Sequence, residues 1–366
     1  MDTVGDILGQ LTKIGPRPAG SEAVAQAFEI ATHNLDRLDL HHQAHRFAFD
    51  TWETTVRPRL WVDGVGEVPC EAMLGSPGGS FSGRFEHHGI CIVWGMYMWK
   101  TYRVRGEDGR FLAYVLVRPD GPTAPQPVPE GGADIPHLAV GREAAGVLDE
   151  CASSRGRAEG ELRALPMKAT GYNLRAWAGH DALLGQGKVV FVTAHCDTAP
   201  SSPGAYDNAG GVAALLGVAE MVSAGNLPAR VQLLLTDAEE LHLAGARAFV
   251  AELARQGRLQ DIDACVNLDG TGRGEALEVW VGPEQLAERL CPVVGEGVRF
   301  VFPLPPPGDH YAFWERRIPS VMLTFNDPEI LHRPEDVFDP RKVANAQKME
   351  QLAANIVSDL AEDAPQ

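Results

Sequence analysis

Hydrophobic positions along the chain fall into three successive patterns. Over residues 1–45 they recur at helical spacing and predict two helices, VGDILGQLTKI and SEAVAQAFEIATHNLDRL, with Ser21 as N-cap of the second. The segment between them, IGPRPAGS, reads as a turn-rich loop. From about Thr51 to Ala164, short apolar pieces (RLWVDG, ICIVWG, RFLAYVLVRP) alternate with breaks such as GSPGGS and PDGPTAPQPVPEGG, predicting a small β-rich unit. IPHLAVGREAAGVLDECA then predicts a short strand leading into a helix. From about Pro166, near-continuous apolar runs predict strands at 188–194, 230–236, 264–268, 276–281 and 318–324. Helices fall between them, notably NAGGVAALLGVAEMVSA and the terminal KVANAQKMEQLAANIVSDLAE. Strands apolar on both faces and alternating with helices imply an α/β fold, with a mixed, mostly parallel central sheet covered by helices on both sides. The expected organisation is one domain from 1–48 and 166–366, with a smaller β-rich domain, 49–165, inserted into it.

Composition narrows the function. The chain has 366 residues, 45% hydrophobic and 22% charged, which fits an ordinary soluble globular protein. A net charge of −17 argues against a nucleic-acid partner and against an anionic membrane surface. It does not oppose metal cations. No apolar run reaches the length of a membrane span. The start, MDTVGDILGQLTKI, lacks the basic end and long apolar core of a signal peptide. The six cysteines form no CxxC pair, so reduced thiols and a cytoplasmic location are expected.

Candidate chemistry concentrates between Val189 and Glu240 and resumes near the end. VVFVTA ends in His195-Cys196-Asp197, GAYDNAGG carries Asp207, and VQLLLT ends in Asp237-Ala-Glu239-Glu240. Asp269 ends ACVNLD, and His332 follows the strand IPSVMLT. His195, Asp207, Glu240, Asp269 and His332 are thus five ligand-type residues at strand ends or in helix-start loops, where open α/β sheets present their sites. Mixed nitrogen and oxygen donors suit zinc, with cobalt or manganese as substitutes. Two ions sharing one carboxylate would activate a water and polarise a carbonyl together. Glu239 is then the natural general base, and Asp197 sits where it can orient His195. Blander readings stand beside these. Asp207 can simply cap a helix. Asp237 reads as structural support, His242 as a helix-surface or pocket-wall residue, and Cys196 as a buried small hydrophobe. The doublets His41-His42 and His87-His88 read as surface loops, and Trp94, Tyr97 and Trp99 as core of the insert.

The order HxD, GAxDNAxG, xEE, NxD and a late histidine before PEDxxD resembles the di-zinc exopeptidases of the aminopeptidase Y and aminopeptidase S type, peptidase family M28-like. The resemblance is weak over 1–45 and good over 166–362. It implies a zinc-exopeptidase fold and two Zn2+ per chain. His195 and Asp269 would hold one ion, Glu240 and His332 the other, and Asp207 would bridge them. Glu239 would be the base. DHYAFWERRIPSVMLT resembles the segment before the last metal histidine, which places Asp309 and His310 near the substrate pocket. Two departures bear on specificity: Gly308 stands where a serine is usual, and LHLAGAR replaces a Gly-Leu-x-Gly-Ser run, with His242 in the glycine's place. The inserted unit is similar, faintly, to a protease-associated domain or lid.

The function expected from this string is a metallo-aminopeptidase acting on short peptides. A metallo-carboxypeptidase or an N-acyl amino acid deacylase stays open, because Arg316, Arg317 and Arg333 lie nearby in sequence to receive a substrate carboxylate. Asn-Ala-Gly-Gly after Asp207, where metallo-carboxypeptidases usually carry Lys-Gly-Gly, favours the aminopeptidase. A binding protein that lost catalysis would lack a ligand or the base, and all six residues are present. No nucleic-acid or membrane partner is expected. A homo-oligomer stays open.

Overall fold

A computed structural model describes residues 3–129, 131–132, 134–179 and 188–362. In chain order the helices are α1 Thr3–Ile14, α2 Glu22–Arg37, α3 Ala145–Ser153, α4 Gly210–Ser223, α5 Ala244–Arg255, α6 Glu284–Val294, α7 His310–Trp314 and α8 Pro340–Glu362. The strands are β1 His41–Val62, β2 Gly66–Val68, β3 Cys70–Ala72, β4 Gly79–Val93, β5 Tyr97–Arg105, β6 Phe111–Val117, β7 His137–Val140, β8 Arg157–Trp177, β9 Val189–His195, β10 Val231–Thr236, β11 Ile262–Thr271, β12 Glu278–Gly282, β13 Arg299–Val301 and β14 Ser320–Phe325. They form two compact units, 1–48 with 170–366 and 49–169. The chain leaves the first along β1 and returns along β8.

In the first unit the strands run in the order β13, β12, β14, β11, β9, β10 and the end of β8. β9 pairs in parallel with both β10 and β11, and β11 with β14. The flanking pairs, β10 with β8 and β12 with β14, are antiparallel. This is the mixed, mostly parallel sheet expected. Every residue of β9, β10 and β14 is buried, because both faces are covered. The alternation of side chains assigns each residue to a face. Val190, Val192 and Ala194 pack with α1, α2, α4 and α8. Val189 and Phe191 pack with α5 and α7. His195 continues this second series. The parallel pairing also brings the carboxyl ends of β9, β10, β11 and β14 to one edge of the sheet, which fixes where the ligand-type residues meet.

Helix α4 is built from small residues and is buried almost throughout. Its start lies so close to β11 that a Cβ on Gly211 would come within 2.2 Å of the Leu268 carbonyl oxygen. In α2, Ser21 caps as expected, its hydroxyl accepting from the Val24 amide at 3.2 Å.

The second unit is antiparallel from the first part of β8 through β4, β5 and β6, parallel between β6 and β7, and antiparallel again to β3. Leu60, Phe81, Phe85, Tyr102, Val115 and Leu148 form its main core. Trp99 is buried in a second cluster, with Trp94 and Tyr97 packed against it. Two expectations fail here and at the border. His41-His42 lie at the start of β1, and His87-His88 lie within β4, so neither doublet is a loop. His42 Nε2 is 2.9 Å from Oδ1 of Asp36, at the end of α2. All six cysteines are free. No described helix is long and apolar enough to cross a membrane.

The close approach of α4 to β11 generates a test. Gly211→Ala is expected to cost roughly 2–3 kcal/mol through overpacking, read as a lower midpoint in urea unfolding. A midpoint equal to the parent's contradicts the contact.

Candidate metal centre

His195 ends β9 and is 1% exposed. Its Nδ1 lies 3.1 Å from the Asp197 carbonyl oxygen, which can accept an Nδ1 proton, and Nε2 faces the acids. Nε2 is 3.0 Å from Asp207 Oδ1 and 3.5 Å from Asp269 Oδ1. His332, on the loop after β14, places its Nε2 3.1 Å from Asp207 Oδ2 and 2.9 Å from Glu240 Oε2. Asp207 therefore stands between the two imidazoles, one carboxylate oxygen toward each. The donor atoms of His195, Asp207 and Asp269 form one group within 4.8 Å, and those of Asp207, Glu240 and His332 form another.

Asp207 does not cap α4. It sits in the turn 205–209 with φ −125° and ψ 90°, outside helical values, and its peptide bond to Asn208 is cis. Asn208 takes the capping role: its Oδ1 accepts from the Gly211 amide at 3.1 Å, and its Nδ2 donates to the Leu268 carbonyl at 2.9 Å. This leaves the Asp207 carboxylate to the histidines.

Glu239 and Glu240 follow β10 through Ala238, a residue with φ +58°. The Asp197 carboxylate fixes this corner, accepting the Glu239 amide on Oδ1 at 3.1 Å and the Glu240 amide on Oδ2 at 3.2 Å. The Asp197 carbonyl thus lies nearer His195 Nδ1 than its carboxylate does: Oδ1 is 3.5 Å from Nδ1, while the carboxylate accepts the glutamate amides. Asp237 accepts its neighbour's amide at 2.8 Å, and Asn173 receives the Asp237 amide at 3.2 Å, so Asp237 is support for the turn. His242 is half-buried with φ +60°, on the turn before α5 and not on a helix. Cys196 is buried in the main core.

Crowding sets the electrostatics. Burial drives the Glu239 carboxyl well above its usual range, and the nearby charges of Asp269 and Glu240 push the same way against His195. Burial likewise raises Glu240 and Asp269. Burial alone would neutralise both histidines, but the surrounding acids outweigh it and hold both pKa values well above the usual one. At Asp207 the two imidazoles overcome burial and hold the carboxyl low. Such a cluster calls for positive charge at its centre.

The donor set fits divalent cations. Each group offers one imidazole nitrogen and two carboxylates, with Asp207 common to both. His195 Nε2 and Glu240 Oε2 are buried and face other members of the cluster, at 3.0 Å and 2.9 Å. Each group offers three protein donors, the number that catalytic zinc sites use with a fourth position open to water or substrate.

The remaining expected residues lie close by but inside the protein. Asp309 and His310 are fully buried. Asp309 Oδ2 accepts from the Thr236 hydroxyl, and burial lifts its carboxyl to about 7. His310 Nε2 lies 3.0 Å from the Pro305 carbonyl, and burial lowers its pKa to about 4. Gly308 has a structural reason: its φ is +107°, and a Cβ there would lie 2.8 Å from Asn267 Nδ2 and 3.0 Å from His310 Nδ1. Arg316 and Arg317 are exposed beyond α7, and Arg333 is ion-paired with Glu335 at 3.0 Å.

One supporting pair escaped the sequence reading. Asp336 receives the amides of Tyr206 at 2.7 Å and Asp207 at 3.1 Å, and is itself held by Lys342 Nζ at 2.6 Å. Both side chains are at most 1% exposed. The signals in the sequence are that Asp336 is the first aspartate of the PEDxxD run and that Lys342 follows it by six residues at a helix start.

Residues 177–357 match peptidase family M28. These residues form a domain of that family. Aminopeptidase YwaD of Bacillus subtilis (strain 168) is 31% identical over 163 residues, covering 40% of this chain and 36% of that protein. In fold, the chain resembles an aminopeptidase from Aneurinibacillus sp. strain AM-1, with TM-score 0.73 and 18% identity over 99% of this chain and 93% of that one. It also resembles BSAP, a zinc aminopeptidase from Bacillus subtilis, with TM-score 0.70 and 20% identity over 99% and 95% of the two chains.

Asp336→Ala is expected to cost about 3–5 kcal/mol, because it leaves the Lys342 ammonium buried without its carboxylate. Adding Lys342→Met should recover part of that loss in urea unfolding. A single variant as stable as the parent contradicts the pairing.

Proposed function

We propose that this M28 protein is a zinc aminopeptidase that binds two ions and removes residues from the amino end of short peptides. The observation that carries the reading is Asp207, whose two oxygens face His195 and His332 at 3.0 and 3.1 Å. His195 and Asp269 would hold one zinc, Glu240 and His332 the other, with Asp207 shared. Bound there, zinc supplies a Lewis acid for the scissile carbonyl and makes water more acidic.

The chain's own residues do the rest. Glu239 is the general base: it takes the proton of the attacking water and passes it to the leaving amine nitrogen. Burial makes its carboxylate a stronger proton acceptor than an exposed one, and cations bound beside it would pull that basicity back toward the usual range. Asp197 holds the Glu239 and Glu240 amides and orients the His195 ring, so base and ligands keep one geometry. The arginines a carboxypeptidase would need are exposed or already ion-paired with Glu335.

Glu239→Gln is expected to retain about two zinc per chain while turnover of an aminoacyl-anilide falls roughly 10²–10⁴-fold, the usual contribution of a general base. Turnover equal to the parent's removes Glu239 from that role. His332→Ala should bind one zinc fewer by elemental analysis, and full occupancy redraws the ligand set. Peptides with blocked amino ends should not be cleaved. Preferential cleavage of those peptides reassigns the enzyme as a deacylase or carboxypeptidase.

A further inference from the structure

Arg17 is one of the largest fully buried side chains in the protein, 1% exposed, and it comes from the loop between the first two helices. Its guanidinium donates only to carbonyl oxygens: Nε to Cys196 at 3.0 Å, Nη1 to Leu11 and Gly15 at 3.1 Å and to Pro203 at 2.8 Å, and Nη2 to Gly204 at 3.2 Å. Its backbone joins the same segment. The Arg17 amide donates to Thr198 Oγ1 at 2.8 Å, and the Thr198 amide donates to the Arg17 carbonyl at 3.0 Å. The fork therefore grips both ends of the stretch 196–204.

That stretch touches every segment proposed to hold zinc except β11. It begins beside His195 and ends three residues before Asp207. Its Asp197 binds the amides of Glu239 and Glu240. Its Ala199 amide donates to Glu240 Oε1 at 2.9 Å, and the Ser201 hydroxyl donates to the His332 carbonyl at 3.2 Å. Gly204 at φ +62° completes the fit, since a Cβ there would lie 2.4 Å from the Asp207 carbonyl oxygen and 3.0 Å from Arg17 Nη2.

We infer that Arg17 is a positioning residue for the metal centre: its planar fork sets the path of residues 196–204 and thereby the mutual placement of His195, Asp207, Glu240 and His332. This rests on the zinc reading above. A purely structural arginine would matter for stability alone. A positioning arginine matters for metal affinity in protein that is fully folded. Lysine keeps the charge but cannot span five carbonyls.

The test measures zinc affinity by competition with a chromophoric chelator, well below the unfolding temperature, in the full-length parent, Arg17→Lys, Arg17→Met and Leu35→Ala. Leu35 is a buried residue of α2 and controls for lost stability. Arg17→Lys is expected to weaken zinc binding at least tenfold and Arg17→Met further, while Leu35→Ala leaves it unchanged. Parent affinity in Arg17→Lys overturns the positioning role alone, and so does an equal loss in Leu35→Ala. A parent that binds no zinc overturns the reading of the site, and this inference with it. If neither Arg17 variant folds, Thr198→Val, which removes the acceptor of the Arg17 amide, decides: weaker zinc binding supports the role and parent affinity overturns it.

Discussion

Carboxylates buried side by side repel one another, and relief of that repulsion organises the catalytic unit. Asp207, Glu239, Glu240, Asp269 and Asp309 are all buried at one edge of the sheet. Without positive charge among them some must carry protons, which is the direction in which burial and mutual repulsion push most of them. Two histidines alone do not balance the set. The divalent cations proposed for the site, one on each side of Asp207, would offset it.

The sheet supplies the meeting point and the loops supply the aim. Parallel β9, β10, β11 and β14 deliver their carboxyl ends to one edge, so side chains far apart in sequence become neighbours. The turns that follow are held by buried polar groups. The Asp197 carboxylate spans two amides, Asn208 frees Asp207 from capping, and Asp336 with Lys342 fixes the amide of Asp207 from behind. Ala238 and His332 both have left-handed backbones, near φ +60°, without being glycine. Each costs of order 1 kcal/mol or more, tolerated because the surrounding bonds over-determine the loop.

Sequence reading reached the parts whose signals are local. Runs such as VVFVTA and VQLLLT mark their strands to within a residue or two, and the acids and histidines just beyond them are the ones the structure brings together. It failed where the meaning of a residue depends on distant partners. Arg17 and Lys342 look like any surface cation in sequence, yet both are buried under carbonyls or a carboxylate supplied from elsewhere in the chain. β1 and β8 were invisible as long strands because ETTVRPR and RALPMKA show no buried alternation. An acid ahead of a helix resembles a cap, and only the non-helical backbone of Asp207 shows that it is not one.

The most direct test of a shared-carboxylate metal centre is anomalous diffraction from zinc-loaded crystals, recorded on both sides of the zinc edge. Two zinc peaks are expected, one beside His195 and Asp269 and one beside Glu240 and His332, with Asp207 touching both. Zinc found elsewhere, or bound in this cluster without Asp207, contradicts the account.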